Sequence, residues 1–354
     1  MTLFLVLTTL TASATPDILM LGNSYTQQQD LPARLQQLFE AAGQAAQVQG
    51  LTAGGLTLAD HAERAQDPTS SWYTELETNA TEREWVVLQD QSQIPGFPQS
   101  SPYWQDSVTG AEVLNQQVEI AEAETVFFMT WGRRDGDSQN SSLYPDFTTM
   151  QENLTEGYLA YMTAVATEDR PVWVAPVGLA FAHIHNALID ADEIPTESGS
   201  AFHALYSGDG SHPSASGSYL AACVFYATLT GESPVGLSLP EEFEAEWGGY
   251  LQQVAATTVF DETDTLLYPW EDNPTPSEED SGGDEEEGNK EEGNEGGTSQ
   301  DSADPELDSG PAERSDGNDC GCSARPHQRT DILVLISLFG AIVRRRIGAY
   351  NDRL

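Results

Sequence analysis

Two short runs, far apart in the chain, hold residue types able to work together: Gly22-Asn23-Ser24-Tyr25-Thr26 and Asp209-Gly210-Ser211-His212. A serine hydroxyl is a weak nucleophile until an imidazole takes its proton, and the imidazole needs a carboxylate to hold its tautomer. Asp209 stands three residues before His212, so one loop can bring carboxylate and ring together. Ser24 follows the apolar run Ile18-Leu19-Met20-Leu21 and therefore sits where a strand ends. The pairing implies a nucleophilic serine served by a compact Asp209–His212 arm. Taken singly, each run has a plainer reading, as a turn serine or as capping chemistry ahead of a helix.

The elements that must position these residues follow from periodicity. Apolar runs of strand length at 17–21, 48–52, 85–88, 125–130 and 172–176 alternate with helical patterns, which argues for a parallel sheet covered on both faces. Leu31, Leu35, Leu38 and Phe39 share one helical face behind a cap at Asp30. Phe147, Met150, Leu154, Tyr158, Tyr161 and Val165 do the same in a longer helix, and the last full helix is expected to open at Ser214. The expected fold class is α/β: a flavodoxin-like three-layer α/β/α domain with a five-stranded parallel sheet. In such sheets, sites form beyond the carboxyl ends of the strands. Ser24, Gly54-Gly55, Gln89–Ser92 and Trp131–Arg134 directly follow strands one to four, so four polar or glycine-bearing segments converge on one edge.

In order and spacing these blocks resemble the SGNH hydrolases, also called GDSL-type esterases, over roughly residues 17–232. The resemblance rests on Gly22-Asn23-Ser24 after the first strand, Gly54-Gly55 after the second, Gln89-Asp90-Gln91-Ser92 after the third, and Asp209-Gly210-Ser211-His212 followed by Pro213. It implies Ser24 as nucleophile, His212 as base and Asp209 as its orienting acid, with an oxyanion hole made by the Ser24 and Gly55 amides and the Gln91 side chain. Two departures stand out: Asn23 replaces the family's aspartate before the serine, and Gln91 takes the place of an asparagine in the third block. A glutamine amide is also a two-hydrogen donor, one methylene longer. Gln91 is expected to face the site, with Asp90 turned away so that its charge does not oppose the developing oxyanion.

Asn23, Trp131 and Arg133 are candidate substrate contacts at the same edge. Trp131 reads equally as a sugar-stacking platform or a core residue. Arg133, like Arg134, could meet a substrate carboxylate or sulfate, with ordinary ion pairing the plainer alternative. The stretch Ile94–Trp104 is either a wall of the site or a packed surface loop. The expected activity is hydrolysis of an acyl ester, acetyl as the resemblance implies, on a carbohydrate or small molecule. A catalytically silent glycan-binding surface protein and an acyltransferase are the rivals.

Composition bounds the rest. The formal net charge is −43, and residues 16–268 alone carry 36 acidic against 6 basic residues, with no lysine. That field repels nucleic acid and anionic membrane surfaces and suits a saline medium. Residues 1–14 read as a signal peptide ending in Ala12-Ser13-Ala14, and 15–268 as the hydrolase-like domain. Residues 269–319 are an acidic linker too poor in apolar residues to fold. In 320–354, Cys320-Gly321-Cys322, an apolar run from Ile332 to Val343 and Arg344-Arg345-Arg346 resemble a MYXO-CTERM sorting segment. The resemblance implies a sorting protease and surface retention in a Gram-negative bacterium; a plain tail anchor is the alternative, and both readings put the domain outside the cytoplasm. No cofactor is expected: neither a metal-binding cysteine pattern, a phosphate-cradling loop nor H-E-x-x-H occurs. His183, His185 and His203 read as loop or core histidines rather than metal ligands, and Cys223 as a small buried hydrophobe.

Overall fold

The apolar runs become five strands: β1 (Asp17–Gly22), β2 (Gln47–Thr52), β3 (Trp85–Leu88), β4 (Glu124–Phe128) and β5 (Trp173–Ala175). The structure is a computed structural model and describes residues 15–78, 83–167, 169–261 and 266–271. All four strand pairings are parallel, in the order β2-β1-β3-β4-β5. Parallel neighbours need crossover connections, here made by helices that cover both faces of the sheet. The inner strands β1, β3 and β4 are accordingly near-continuous apolar runs and almost wholly buried, whereas Gln47, Gln49 and Gly50 of the edge strand β2 remain exposed.

The helices are α1 (Ser24–Gln27), α2 (Leu31–Ala41), α3 (Leu58–Gln66), α4 (Ser71–Tyr73), α5 (Pro102–Ile120), α6 (Phe147–Val165), α7 (Val177–Asp190), α8 (Ala215–Thr230) and α9 (Ala245–Phe260). Asp30 caps α2 by accepting the Ala33 N–H, and the helix buries Leu31, Leu35, Leu38 and Phe39. The stripe from Phe147 to Val165 is buried along α6, which Asp146 caps through the Thr149 N–H at 2.8 Å. Ser214 caps α8, its hydroxyl accepting the N–H groups of Ser216 and Gly217.

One expectation is corrected: α8 is not the last full helix, because α9 follows it and packs on it. In α9, Gly248, Gly249 and several Gln and Thr residues interrupt the apolar spacing, so its face is hard to read from period alone. Ile94–Trp104 takes the packed-loop alternative. Ile94, Pro95 and Gly96 are buried, the Tyr144 hydroxyl donates to the Gln93 carbonyl at 2.6 Å, and Phe97 stacks on Tyr144. Cys223 is fully buried in α8, and burial pushes its thiol well above the usual range.

The stretches expected to be a leader (1–14) and a sorting segment (320–354), and most of the expected acidic linker, lie outside the described residues. Among the described residues, no helix is long and apolar enough to cross a membrane.

Candidate active site

The site is assembled at the carboxyl ends of the strands, beginning with the turn after β1. A Cβ on Gly22 would fall 2.2 Å from Thr26 Oγ1 and 2.8 Å from Gln89 Oε1, so the chain can fold back into α1 here only if this residue is glycine. Asn23 then caps α1, its Oδ1 accepting the Tyr25 N–H at 3.1 Å. Gln89 Oε1 accepts both the Asn23 N–H and the Thr26 hydroxyl at 2.9 Å. Ser24 is the first residue of that short helix, where a backbone N–H has no preceding turn to bond.

The second component is the loop that leads from α7 into α8. Ser207 N–H donates to the His212 carbonyl at 2.9 Å, and Gly210 N–H donates to the Ser207 carbonyl at 3.0 Å. Gly210 sits at φ +68°, a left-handed turn position that a side chain would strain. The loop is tied down from outside by the Arg134 N–H on the Gly210 carbonyl (2.8 Å) and by the Trp131 Nε1–H on the Ser211 carbonyl (3.1 Å). Ser211 Oγ lies 2.7 Å from the Tyr25 hydroxyl, which links the loop to the residue after Ser24.

These ties bring the two sequence runs together. Ser24 Oγ is 2.9 Å from His212 Nε2, and His212 Nδ1 is 2.6 Å from Asp209 Oδ2. With Nδ1 donating to the carboxylate, Nε2 presents its lone pair to the serine hydroxyl. Asp209 Oδ1 also accepts the N–H groups of Ser211 (2.9 Å) and His212 (3.0 Å) and the Ser207 hydroxyl (3.1 Å). Partial burial works to raise its pKa. The bonds from His212, the two amides and Ser207 outweigh that and hold the carboxyl well below the usual carboxylate range.

The other residues singled out in the sequence are placed as follows. Gly54 and Gly55 are exposed, with open space on the side where a Cβ would stand. Their turn is fixed beside the nucleophile by Asn23 Nδ2, which donates to the Leu56 carbonyl at 3.0 Å. Gln91 is folded onto Gln93: its Nε2 donates to Gln93 Oε1 (3.1 Å) and its Oε1 accepts the Gln93 N–H (2.8 Å). That use takes one of its two amide hydrogens. The Asp90 side chain is buried among donors from α3, α5 and α6.

Two candidate substrate contacts are corrected. Asn23 is 2% exposed and both ends of its amide are engaged in the scaffold, so it joins the turns rather than meeting a ligand. Trp131 is fully buried, with one face stacked on Tyr25 (4.8 Å between ring centres) and the other on Phe181 (4.5 Å). A sugar has no face to stack on. The tryptophan instead supports the underside of Tyr25, whose ring meets His212 edge-on at 5.5 Å. Arg133 pairs with the buried Asp137 at 2.7 Å, and Asp137 also accepts from Asn140, the Gln139 N–H and Gln93. Its guanidinium lies against the Tyr25 hydroxyl as well, so its charge faces the site from a matched pair.

Gln89 is the residue that sequence reasoning missed. Only its position directly after β3 hinted at a role, since its partners Asn23 and Thr26 lie more than sixty residues away. Among the described residues, no group of three or more His, Cys, Asp or Glu side chains is arranged to hold a metal ion. His203 Nε2 instead contacts Arg134 Nη1 at 3.0 Å.

Solved structures with this fold include a DUF4886 family protein from Bacteroides uniformis, 16% identical with a TM-score of 0.57, covering 73% of this chain and 99% of that one. A candidate SGNH hydrolase from Slackia heliotrinireducens is 26% identical with a TM-score of 0.46, covering 60% and 98%. An acetylxylan esterase from Geobacillus stearothermophilus is 14% identical with a TM-score of 0.40, covering 60% and 94%. No family model and no curated protein matches the chain. Its five parallel strands with helices on both faces make a three-layer α/β/α fold, which it shares with the Bacteroides uniformis protein.

Proposed function

We propose that the protein is a serine esterase that cleaves an acyl ester, with acetyl as the acyl group and a carbohydrate or other small alcohol as the leaving part. The observation that carries this is the continuous line Ser24 Oγ–His212 Nε2 (2.9 Å) and His212 Nδ1–Asp209 Oδ2 (2.6 Å). His212 takes the Ser24 proton as Oγ attacks the ester carbonyl, then gives it to the departing alcohol oxygen. Asp209 stays ionised throughout and stabilises the imidazolium. A water molecule, deprotonated by the same imidazole, releases the acid from Ser24.

The charge that collects on the carbonyl oxygen is met by the Ser24 and Gly55 N–H groups and by the free hydrogen of the Gln91 amide. One such donor contributes roughly 2.7–4 kcal/mol to the barrier, so the placing of these three decides the rate. The exposed glycine turn leaves room for a bulky alcohol part. The reading of 1–14 and 320–354 as leader and sorting segment extends the proposal to an exported enzyme held at the cell surface.

The test is hydrolysis of p-nitrophenyl acetate and of acetylated xylan in high salt by the wild type and by Ser24→Ala. Loss of activity on both substrates in the variant is expected. Equal rates for the two proteins would overturn the esterase reading and favour the glycan binder.

A further inference from the structure

Three backbone turns must keep a fixed spacing for the proposed oxyanion donors to converge: those carrying Ser24, Gly55 and Gln91. One buried carboxylate touches two of them. Asp90 Oδ1 accepts the Gln91 N–H at 2.8 Å and the Leu58 N–H, at the start of α3 just beyond the glycine turn, at 3.0 Å. The Ser107 hydroxyl of α5 donates to the same oxygen at 3.1 Å, and the Tyr161 hydroxyl of α6 donates to Oδ2 at 2.9 Å. The third turn is joined through the Asp90 carbonyl, which accepts from Asn23 Nδ2 at 3.1 Å while the same amide reaches Leu56.

Asp90 is fully buried, and the ion pairs found among the described residues do not include it. A buried carboxylate without a cation is destabilising, and a neutral residue of the same shape is usually tolerated as well or better. Bonds to a charged acceptor are shorter and about twice as strong as neutral ones, so ionisation tightens the grip on both turns.

We infer that Asp90 is a positioning residue, whose ionised carboxylate draws the Gly55 turn and the Gln91 backbone together so that the oxyanion donors are held beside Ser24. The inference rests on the esterase reading above. Protonation at Oδ2 would turn the Tyr161 hydroxyl from donor to acceptor and leave Oδ1 a neutral carbonyl oxygen with weaker bonds to both turns.

Burial pushes Asp90 up to about 6, against the lowering effect of the Leu58 and Gln91 amides, Tyr161 and Ser107. The ionisable groups facing it are Tyr158 and Tyr161 of α6, and burial together with the Asp90 charge keeps both neutral. Among the described residues, its hydrogen bonds from α3 and α5 come from the Leu58 amide and the Ser107 hydroxyl.

The experiment compares kcat and KM for p-nitrophenyl acetate from pH 4.5 to 8 in wild type, Asp90→Asn, Tyr161→Phe and Ser24→Ala, with thermal unfolding of each. Asn mimics the protonated acid. At pH 7.5, Asp90→Asn is expected to lower kcat about tenfold with KM within about twofold and with no loss of thermal stability. The ratio of the two rates should shrink towards one below pH 5, where the wild type is itself protonated. A merely structural role gives a ratio that does not move with pH. Tyr161→Phe keeps the carboxylate but removes one bond to its charged form, so its rate should fall towards that of Asp90→Asn at a higher pH than the wild type's.

A wild-type kcat in Asp90→Asn, or a ratio constant with pH, overturns the inference while the esterase reading stands, provided that Ser24→Ala is inactive. If Asp90→Asn does not fold, an unmoved acid limb in Tyr161→Phe overturns it. Full activity in Ser24→Ala overturns both.

Discussion

Asp209 and Asp90 each accept four hydrogen bonds, yet the molecule shifts their acidity in opposite directions. Asp209 is about half exposed, at 51%, and its partners all lie between Ser207 and His212. Water shares in solvating its charge, so the hydrogen bonds prevail and the carboxyl is held low. Asp90 has lost that water, and the same number of bonds fails to offset the desolvation. The balance sets the sign: the bonds win where water still reaches the carboxylate, and desolvation wins where it does not. The exposed acid belongs to a self-contained arm that serves one histidine. The buried acid belongs to a hub that ties together turns distant in sequence.

The contrast breaks first at the exposed arm. Asp209→Asn is expected to lower kcat by roughly 10³- to 10⁴-fold with the fold retained, because an amide no longer favours the Nδ1–H tautomer. Steady-state kinetics beside a circular-dichroism spectrum would check this; a change of less than tenfold would reduce Asp209 to a loop-forming residue.

Beneath the arm, Trp131→Ala should destabilise the protein by about 3–5 kcal/mol, since a fully buried indole and two ring stacks are lost. Urea unfolding measures it. A normal midpoint with weakened polysaccharide binding would restore the sugar-platform reading.

The acid dependence of stability sharpens the comparison, because the two signs differ. Asp90 is raised in the folded state, so the native protein gains stability from it as pH falls from about 6 towards 4. Asp90→Asn should therefore show its greatest advantage over wild type near neutrality and lose it by pH 4. Asp209 is depressed, so its contribution is complete above about pH 4 and disappears only below that. Asp209→Asn should be the less stable protein at neutrality, with the deficit closing only in stronger acid. Unfolding midpoints of the three proteins against pH would reveal parallel curves if burial does not separate the two acids.

The smallest effect concerns the surface that surrounds both. With 36 acids against 6 basic residues over 16–268, raising salt from 0.1 to 1 M shortens the screening length from about 10 to about 3 Å and should raise the unfolding midpoint. The difference between Asp90→Asn and wild type should barely change, because a buried charge is screened little.

How much could be read from the sequence follows the same division. Asp209 and His212 were legible because their partnership closes over three residues, and Ser24 because an apolar strand ends just before it. The five strands were legible as apolar runs separated by helical patterns. The hub was not: Asn23, Leu56, Gln89 and Asp90 meet only after β1, β2 and β3 are side by side, and nothing local marks a glutamine or an aspartate for such a place. Trp131 had two readings because a tryptophan after a strand can close the core or face the ligand, and only the stacking partners Tyr25 and Phe181 decide between them. The helix α9 escaped because glycines and polar residues blur its apolar face.

The central claim is that Ser24 is the nucleophile. Labelling the wild type with a fluorophosphonate and locating the adduct by mass spectrometry of peptides tests it without knowing the natural substrate. The account predicts one adduct, on Ser24, that forms much more slowly in His212→Ala and not at all in Ser24→Ala. An unlabelled Ser24 in protein that still hydrolyses p-nitrophenyl acetate, or an adduct on another residue that tracks loss of activity, would contradict it.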